Sequence, residues 1–500
     1  MKLRVHVLGL DAGGKTIAII NEEDAREFGV HPLERIVLRK GSKKLTVVVN
    51  TTKKFVKEGN IVVYKEVSER LRLKTGDTVE AEPRETLASK YYIRKKIDGG
   101  ELAANEIRCI VDDVLARNLN DLELAAFITA LHIHGLTMNE AAALSRAMVG
   151  TSKKIAFHGT VVDKHSIGGV SGDKTSLLLV PIVAAAGLTI PKTSSRSITS
   201  PAGTADRMEI LAPVELDIKS IKRVVKKAGG CLVWGGAGDL APADDLFIQI
   251  EHPLSLDPLL LPSVMSKKKV AGSKYVVIDI PVGLEAKIKN KEEAEKLAKK
   301  FILLGKDLGI KVDCGITNGN QPIGYAIGPA LEAKEALETI MRIKKPTDLL
   351  DKATSLSGLL LSMCGKGNVA TAKKILNSGM AEKKLRQIIG AQGGNPKIMP
   401  DDIPFADHKI SIKSGSDGIV TGVSDDRIAY VAKVAGAPKD KLAGIMLNKK
   451  IGDSVKKGEI LFTIFAEKKQ KLSKAYKAAR YMHIFYILDH KERKMLIERV

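Results

Sequence analysis

Two stretches near the middle of the chain hold the residues best suited to chemistry. In the first, HSIGGVSGDKT, Lys164, His165 and Ser166 precede Gly168, Gly169 and Gly172 and run on into Lys174, Thr175 and Ser176. Glycines that uncover backbone N–H groups, a lysine and a helix N-terminus together suit a phosphate-like anion. The pattern is not a Walker A motif, because only Asp173 separates Gly172 from Lys174. In the second, TSSRSITSPAGTAD, the residues Ser194, Ser195, Arg196, Ser197, Thr199, Ser200 and Thr204 offer hydroxyls and one guanidinium. Either loop alone reads equally well as turns and caps. Two of them, each after a predicted strand, point to a ligand at strand C-terminal ends.

The elements around these loops must position them. A short strand before His165, a buried helix and a second strand within LLLVPIVAAAGLTI, and later alternation in KYVVIDIPVG and EEAEKLAKKFILLGKDLGIKVDCGITNG predict an α/β domain over 159–241 and 271–405. Helical spacing over 85–158, with DDLFIQIEHPLSLDPLLLPSVMSKKKVAGS (242–270) returning to the same layer, predicts a helical domain. From 406 to 500 the chain reads as β-rich: SGSDGIVTGV, IAYVAKVAG and GDSVKKGEILFTI read as strands of a structural barrel. The fold class expected is multidomain α/β, with the cleft between the helical and α/β domains.

Residues 1–84 read as a small β-barrel of double-psi type, and GLDAGGKT inside it matches the P-loop pattern letter for letter. A P-loop must run into a helix. Here Thr16 is followed by IAII, a β-branched run, and then by NEEDAREFG, where Asn21 caps a helix, Asp24 answers it and Gly29 stops it. GGKT therefore reads as a hairpin-like turn, and NIVVYKEVSERL as a further strand.

The 500 residues carry a formal charge of +22, which predicts affinity for anions without choosing among them. Aromatic residues at 4% are too few for stacking platforms, so phosphorylated small molecules are favoured over nucleic acid. The longest apolar run, 177–190, is shorter than the roughly 20 residues that span a bilayer. Cys109, Cys231, Cys314 and Cys364 lack metal-ligand spacing and suit a reducing compartment. The expectation is a cytoplasmic protein with no membrane, disulfide or metal.

The sequence DKHSIGGVSGDKTSLLLVPIVAAAGLTIPKTSSRSITSPAGTADRMEIL resembles the signature of the thymidine/pyrimidine nucleoside phosphorylase family, and IRKKIDGGELAANEI, APADDLF, SVMSKKKVAGS and NQPIGYAIGPALEAKE match further blocks. In SRSITSPAGTAD and in its extra N-terminal domain it looks like the archaeal AMP phosphorylase branch. The resemblance implies phosphorolysis of a nucleoside 5′-monophosphate (AMP, also CMP and UMP) to free base and ribose 1,5-bisphosphate, in nucleotide salvage. It also implies no cofactor besides phosphate as co-substrate, and a homodimer or larger homo-oligomer.

By that resemblance, Lys164, Ser166, Ser194 and Thr204 hold inorganic phosphate, with Gly169 lining the same cleft. His165 is placed as a polar donor near sugar or base, with a histidine that only fixes the loop as the plainer reading. Ser195, Arg196, Ser197, Ile198, Thr199 and Ser200 contact substrate, and the Arg196 guanidinium is chemically suited to the ester phosphate. Asp257 in PLSLDP matches the proton donor to the leaving base and needs burial to raise its pKa from about 3.9. A helix cap before Pro258 is the plainer reading of that aspartate. Ser263 with Lys267 or Lys287 fits base recognition, although DPLLLPS is two residues shorter than the branch pattern, which puts the base preference in doubt. A pyrimidine nucleoside phosphorylase is the nearest alternative. A P-loop NTPase or nucleic-acid-binding protein is the alternative of another class, and a phosphoribosyltransferase would need acidic metal-holding residues that are not evident.

Overall fold

A computed structural model describes residues 1–83, 87–153, 155–197, 200–238 and 241–488. The chain divides into two compact units, one of residues 1–95 with 116–123, the other of 96–115 with 124–500.

The first unit is a closed barrel in the order Lys2–Val7, Asn60–Val63, Ile17–Asn21, Lys43–Thr52, Arg35–Lys40, Thr78–Pro83. Alternate residues fill its interior: Leu3 and Val5, Ala18 and Ile20, Ile36 and Leu38, Val47 and Val49. Thr16 does lead into a strand, and Asn21 caps the helix Glu22–Phe28 by accepting from the Glu23 N–H. Three details differ from the sequence reading. The strands on either side of GLDAGGKT do not form a hairpin, because Asn60–Val63 runs between them, parallel to one and antiparallel to the other. Asp24 does not answer the cap; its carboxylate accepts the Gly59 N–H at 2.9 Å. KEVSERL is a helix, Lys65–Leu71, because Val67 and Leu71 fall on one helical face and are both buried.

The supposed phosphate turn is already filled. Oε1 of Glu66 accepts the N–H groups of Ala12 and Gly14 at 2.8 Å each, Asp11 takes that of Gly13, and Lys15 pairs with Asp121 at 2.6 Å.

In the second unit, strands Val162–Ser166, Tyr275–Val282 and Lys311–Asn318 form one parallel sheet, and Ile190–Ser194 pairs in parallel with Gly230–Trp234. A bridge from Val161 to Thr189 joins the two, so the five strands point their C-terminal ends the same way. The apolar helix Thr175–Ala185 is buried beneath them together with Thr347–Met363 and Met380–Gln392. On the other face, helix Met138–Gly150 shares a core with Leu260–Val270 and Lys291–Leu308.

The C-terminal part holds a three-stranded sheet and three strands of a four-stranded one, whose edge strand Ala326–Ile327 comes from the α/β segment, rather than a barrel. IAYVAKVAG, expected to be a strand, belongs to the helix Asp425–Ala435: Ser424 caps it, and Ile428, Val431, Ala432 and Ala435 are buried at helical spacing. Among the described residues no helix is long and apolar enough to cross a membrane, and no group of His, Cys, Asp and Glu could hold a metal.

Candidate active site

The first loop leaves the sheet at Ser166. Lys164 is 2% exposed, and its ammonium lies 3.2 Å from Asp279 and 3.9 Å from Asp173. Lys352 faces the same two carboxylates at 3.0 and 3.4 Å, which closes a buried, charge-balanced quartet. Burial alone would raise both carboxyls, but Lys352 and Lys164 hold Asp173 far below the usual range, and Lys164 and Lys352 lower Asp279. Thr317 adds a hydroxyl to Asp279 at 2.7 Å.

Beyond Ser166, Gly168, Gly169 and Gly172 all have φ between +72° and +90°, where a side chain is strained. Close approach adds a second reason at two of them. A Cβ on Gly169 would lie 2.8 Å from the Lys287 backbone nitrogen, and one on Gly172 would lie 2.6 Å from the Ile323 carbonyl. Two expected substrate residues, Gly169 and Lys287, are thereby neighbours. Lys174 turns away from the loop: it is fully buried, and its ammonium is ringed by the carbonyls of Ile323 and Ala326 and the Glu335 carboxylate at 2.8, 3.1 and 2.6 Å.

The second loop follows Ile190–Ser194. Ser194 donates to the Val233 carbonyl at 3.3 Å, and half-buried Thr204 opens the helix Thr204–Glu209. Asp206 organises the turn between them by accepting the N–H groups of Ser197 and Gly203 at 2.7 and 2.9 Å. Ser197 in turn donates to the Ser200 carbonyl, and the Ser195 carbonyl receives the Ala205 N–H. Ile198 and Thr199 lie outside the described residues. Arg196 is not free for an ester phosphate as expected: it pairs in fork fashion with Glu209 at 2.9 and 2.6 Å, reaches Glu215 at 2.8 Å and Asp206 at 3.3 Å, and lies over Trp234. Arg196 first, and Lys441 as well, hold Glu209 down at about 2 against partial burial.

Between the two loops the charge does not balance. Lys268 takes Asp163 at 2.7 Å, which leaves Lys192, 4.0 Å from the same carboxylate, with a carbonyl as its closest partner. Burial and the neighbouring Lys268 push Lys192 down to about 7, with Asp163 opposing. His165 is likewise pushed well below its ordinary value by burial and then by Lys268, Lys192, Lys267 and Lys164. Its imidazole is therefore neutral at physiological pH. A buried surplus of positive charge, close to the strand ends Ser166 and Ser194, is suited to an anion.

On the other side, Asp257 lies between helices Pro242–Leu254 and Leu260–Val270. It caps neither. Its carboxylate pairs with Lys287 at 2.7 Å, and both side chains are 45% exposed, so the expected burial is absent in this state. Glu251 nearby is pushed up to about 7 by burial and then by the charge of Asp257. Ser263 accepts from Lys267 at 3.4 Å, and Lys267 is held by the fully buried Asp244 of APADDLF at 2.5 Å. The structure thus groups Lys287 with Asp257 and Gly169, and Lys267 with Ser263.

Lys192, Lys268, Asp163, Asp279 and Lys352 were not singled out in the sequence. One signal was present: Lys192 and Ser194 alternate along one strand and so share a face. Lys268 is hidden in a run of three lysines, and Lys352 comes from a helix 188 positions after Lys164.

Three family models match the chain. Residues 90–152 match the helical bundle domain of the glycosyl transferase family, 158–382 its a/b domain, and 419–484 the pyrimidine nucleoside phosphorylase C-terminal domain. Among relatives, the AMP phosphorylase of Methanococcus vannielii is 45% identical, covering 100% of this chain and 99% of its own. Those of Thermococcus sibiricus and Pyrococcus furiosus are each 48% identical over 96% of this chain, and over 97% and 96% of their own. Similarity at this level along both full lengths leaves one conclusion: the chain belongs to the AMP phosphorylase family.

Proposed function

We propose that the chain catalyses phosphorolysis of AMP, and of CMP and UMP, to free base and ribose 1,5-bisphosphate. The observation that carries the reading is the buried surplus of positive charge left where Lys192 and Lys268 share the one carboxylate of Asp163, next to Lys164 and His165 and to two hydroxyl-rich loops. An inorganic phosphate held by Lys164, Ser166, Ser194 and Thr204, with Lys192 added from the structure, supplies the missing negative charge. Gly169 lines the same seat.

One phosphate oxygen then forms a bond to C1′ while the bond from C1′ to the base nitrogen breaks, and the electron pair leaves with the base. Asp257 gives the base its proton. To do so it must part from Lys287, and a base that draws the Lys287 ammonium toward itself, with Ser263 and Lys267 on its other edge, frees the carboxyl. His165 serves as a neutral hydrogen-bond partner near the sugar. With Arg196 committed to carboxylates, the ester phosphate falls to the segment from Ser195 to Ser200, where the Ser197 N–H and hydroxyl exchange Asp206 and the Ser200 carbonyl for it. We further propose a homodimer through the helical domain. The four free thiols suit the cytoplasm.

The deciding experiment measures base release from AMP, CMP, UMP, adenosine, uridine and thymidine, with and without phosphate and in the presence of EDTA. Phosphate-dependent release from the monophosphates alone is expected. Release from uridine or thymidine alone would make the protein a nucleoside phosphorylase.

A further inference from the structure

The C-terminal part grips the glycine loop. Asp425, at the first position of helix Asp425–Ala435, does not bond within its own helix end. Its two oxygens accept the backbone N–H of Ser171 at 2.9 and 3.1 Å, and the Ser171 hydroxyl at 3.1 Å, from 254 positions away. Ser171 lies between Gly169 and Gly172, its carbonyl is taken by the Ile323 N–H at 3.0 Å, and both Ser171 and Asp425 are buried. A second tie lies beside the first. Glu285 accepts the Ser424 hydroxyl at 2.8 Å and the Asp426 N–H at 3.0 Å, which anchors the loop of Lys287 to the same helix end. One helix terminus thus holds both loops that meet at Gly169 and Lys287.

We infer that Asp425 is a positioning residue for phosphate: as a carboxylate it fixes Ser171, and through it the glycine-loop N–H groups, in the geometry that receives inorganic phosphate. The inference rests on the proposed phosphate seat.

The glycine loop has high intrinsic freedom, with left-handed residues on both sides of Ser171, so an anchor there removes disorder that phosphate would otherwise have to remove on binding. The carboxylate is also held at a cost that a purely structural bond would not need. Burial first, then the charges of Asp426 and Glu285, push Asp425 up to about 7, while the Ser171 bonds work the other way. No lysine or arginine offsets those two carboxylates in direct contact with Asp425 among the described residues: Arg427, next in the helix, is turned to the His483 carbonyl and Tyr486. Because the folded-state value of about 7 lies above the ordinary 3.8, stability falls as pH rises between the two, and the ionised group opposes the fold in full above neutrality.

The test is steady-state AMP phosphorolysis with phosphate varied, for the wild type, Asp425→Asn and Ser171→Ala, on both sides of neutrality. Asp425→Asn is expected to raise KM for phosphate about tenfold above neutrality, with KM for AMP changed by less than about twofold. Its Tm there stays equal to or above that of the wild type, and the gap in phosphate KM narrows on acidification, where wild-type Asp425 is itself protonated. Comparing the two proteins removes the titration of phosphate from the result. Ser171→Ala, which loses only the hydroxyl bond, shifts phosphate KM the same way by about threefold and serves if Asp425→Asn does not fold. An unchanged phosphate KM in both, or equal changes in every constant with a lowered Tm, overturns the inference. Phosphate binding to Lys164→Ala, followed by calorimetry, separates the two readings: if it binds as tightly as the wild type the seat itself is misplaced, and if only Lys164→Ala is impaired the clasp alone fails.

Discussion

The ammonium of Lys192 lies 4.0 Å from the Asp163 carboxylate, too far for a hydrogen bond, because Lys268 has the closer place at 2.7 Å. A buried cation without a full partner destabilises the empty enzyme and is relieved by an anion. Since Lys192 is depressed to about 7 in the folded protein, the unfolded chain binds more protons between that value and about 10.4, and stability of the phosphate-free enzyme rises with pH over that window. Lys192→Met is expected to flatten this rise in calorimetric scans and to stabilise the empty protein at neutral pH by about 1–2 kcal/mol, while weakening phosphate. A loss of stability on substitution would remove Lys192 from the anion seat.

Removing Lys164 has two effects that must be separated. It leaves Asp279 and Asp173 with Lys352 alone, so Lys164→Met should cost about 3 kcal/mol of stability as well as nearly all turnover. Adding Asp279→Asn restores the charge balance. The double variant is expected to regain most of the lost stability in denaturant titrations and none of the activity; recovered turnover would show that Lys164 acts only through the quartet.

Asp257→Asn keeps the shape of the side chain and removes its proton. Turnover of AMP is expected to fall about 10²- to 10⁴-fold, with little change in either KM. Because the Asp257–Lys287 pair is half exposed, its loss should cost under about 1 kcal/mol, which a thermal melt will check.

Arg196 supports the second loop through acids. Glu209 is held at about 2, below its ordinary 4.5, so its contribution to stability is complete above the unfolded value and disappears as pH falls from 4.5 toward 2. Arg196→Ala is expected to lower the melting temperature at neutral pH and to flatten acid destabilisation over that window. KM for AMP rises with it, because the loop of Ser197 and Ser200 loses its brace. A variant as stable as the wild type would contradict this role.

Most of the sheet and its two loops could be read from sequence because strand, glycine turn and apolar helix follow one another without interruption from Val162 to Ala185. The buried charge cluster beneath the two loops was less legible. Its charges come from residues as far apart as Asp163 and Lys352, and single-strand periodicity carries no information about which lysine ends up without a carboxylate. Local pattern also misled at IAYVAKVAG, where β-branched and aromatic residues imitate a strand while the buried set repeats every three to four positions. Arg196 shows the same limit: its residue type suits a phosphate, and only the fold reveals that Glu209, Glu215 and Asp206 reach it first.

The filled turn in the barrel says something about how sequence patterns arise. Eight letters of GLDAGGKT build a crown of inward N–H groups, and the chain supplies its own stopper, Glu66, from a helix fifty residues later. The stopper and the crown are chemically independent pieces. Without Glu66 the N–H groups of Ala12 and Gly14 would lose their acceptor while that of Gly13 kept the Asp11 carboxylate, so a pattern that elsewhere greets a phosphate is spent here on a bond between two parts of one chain.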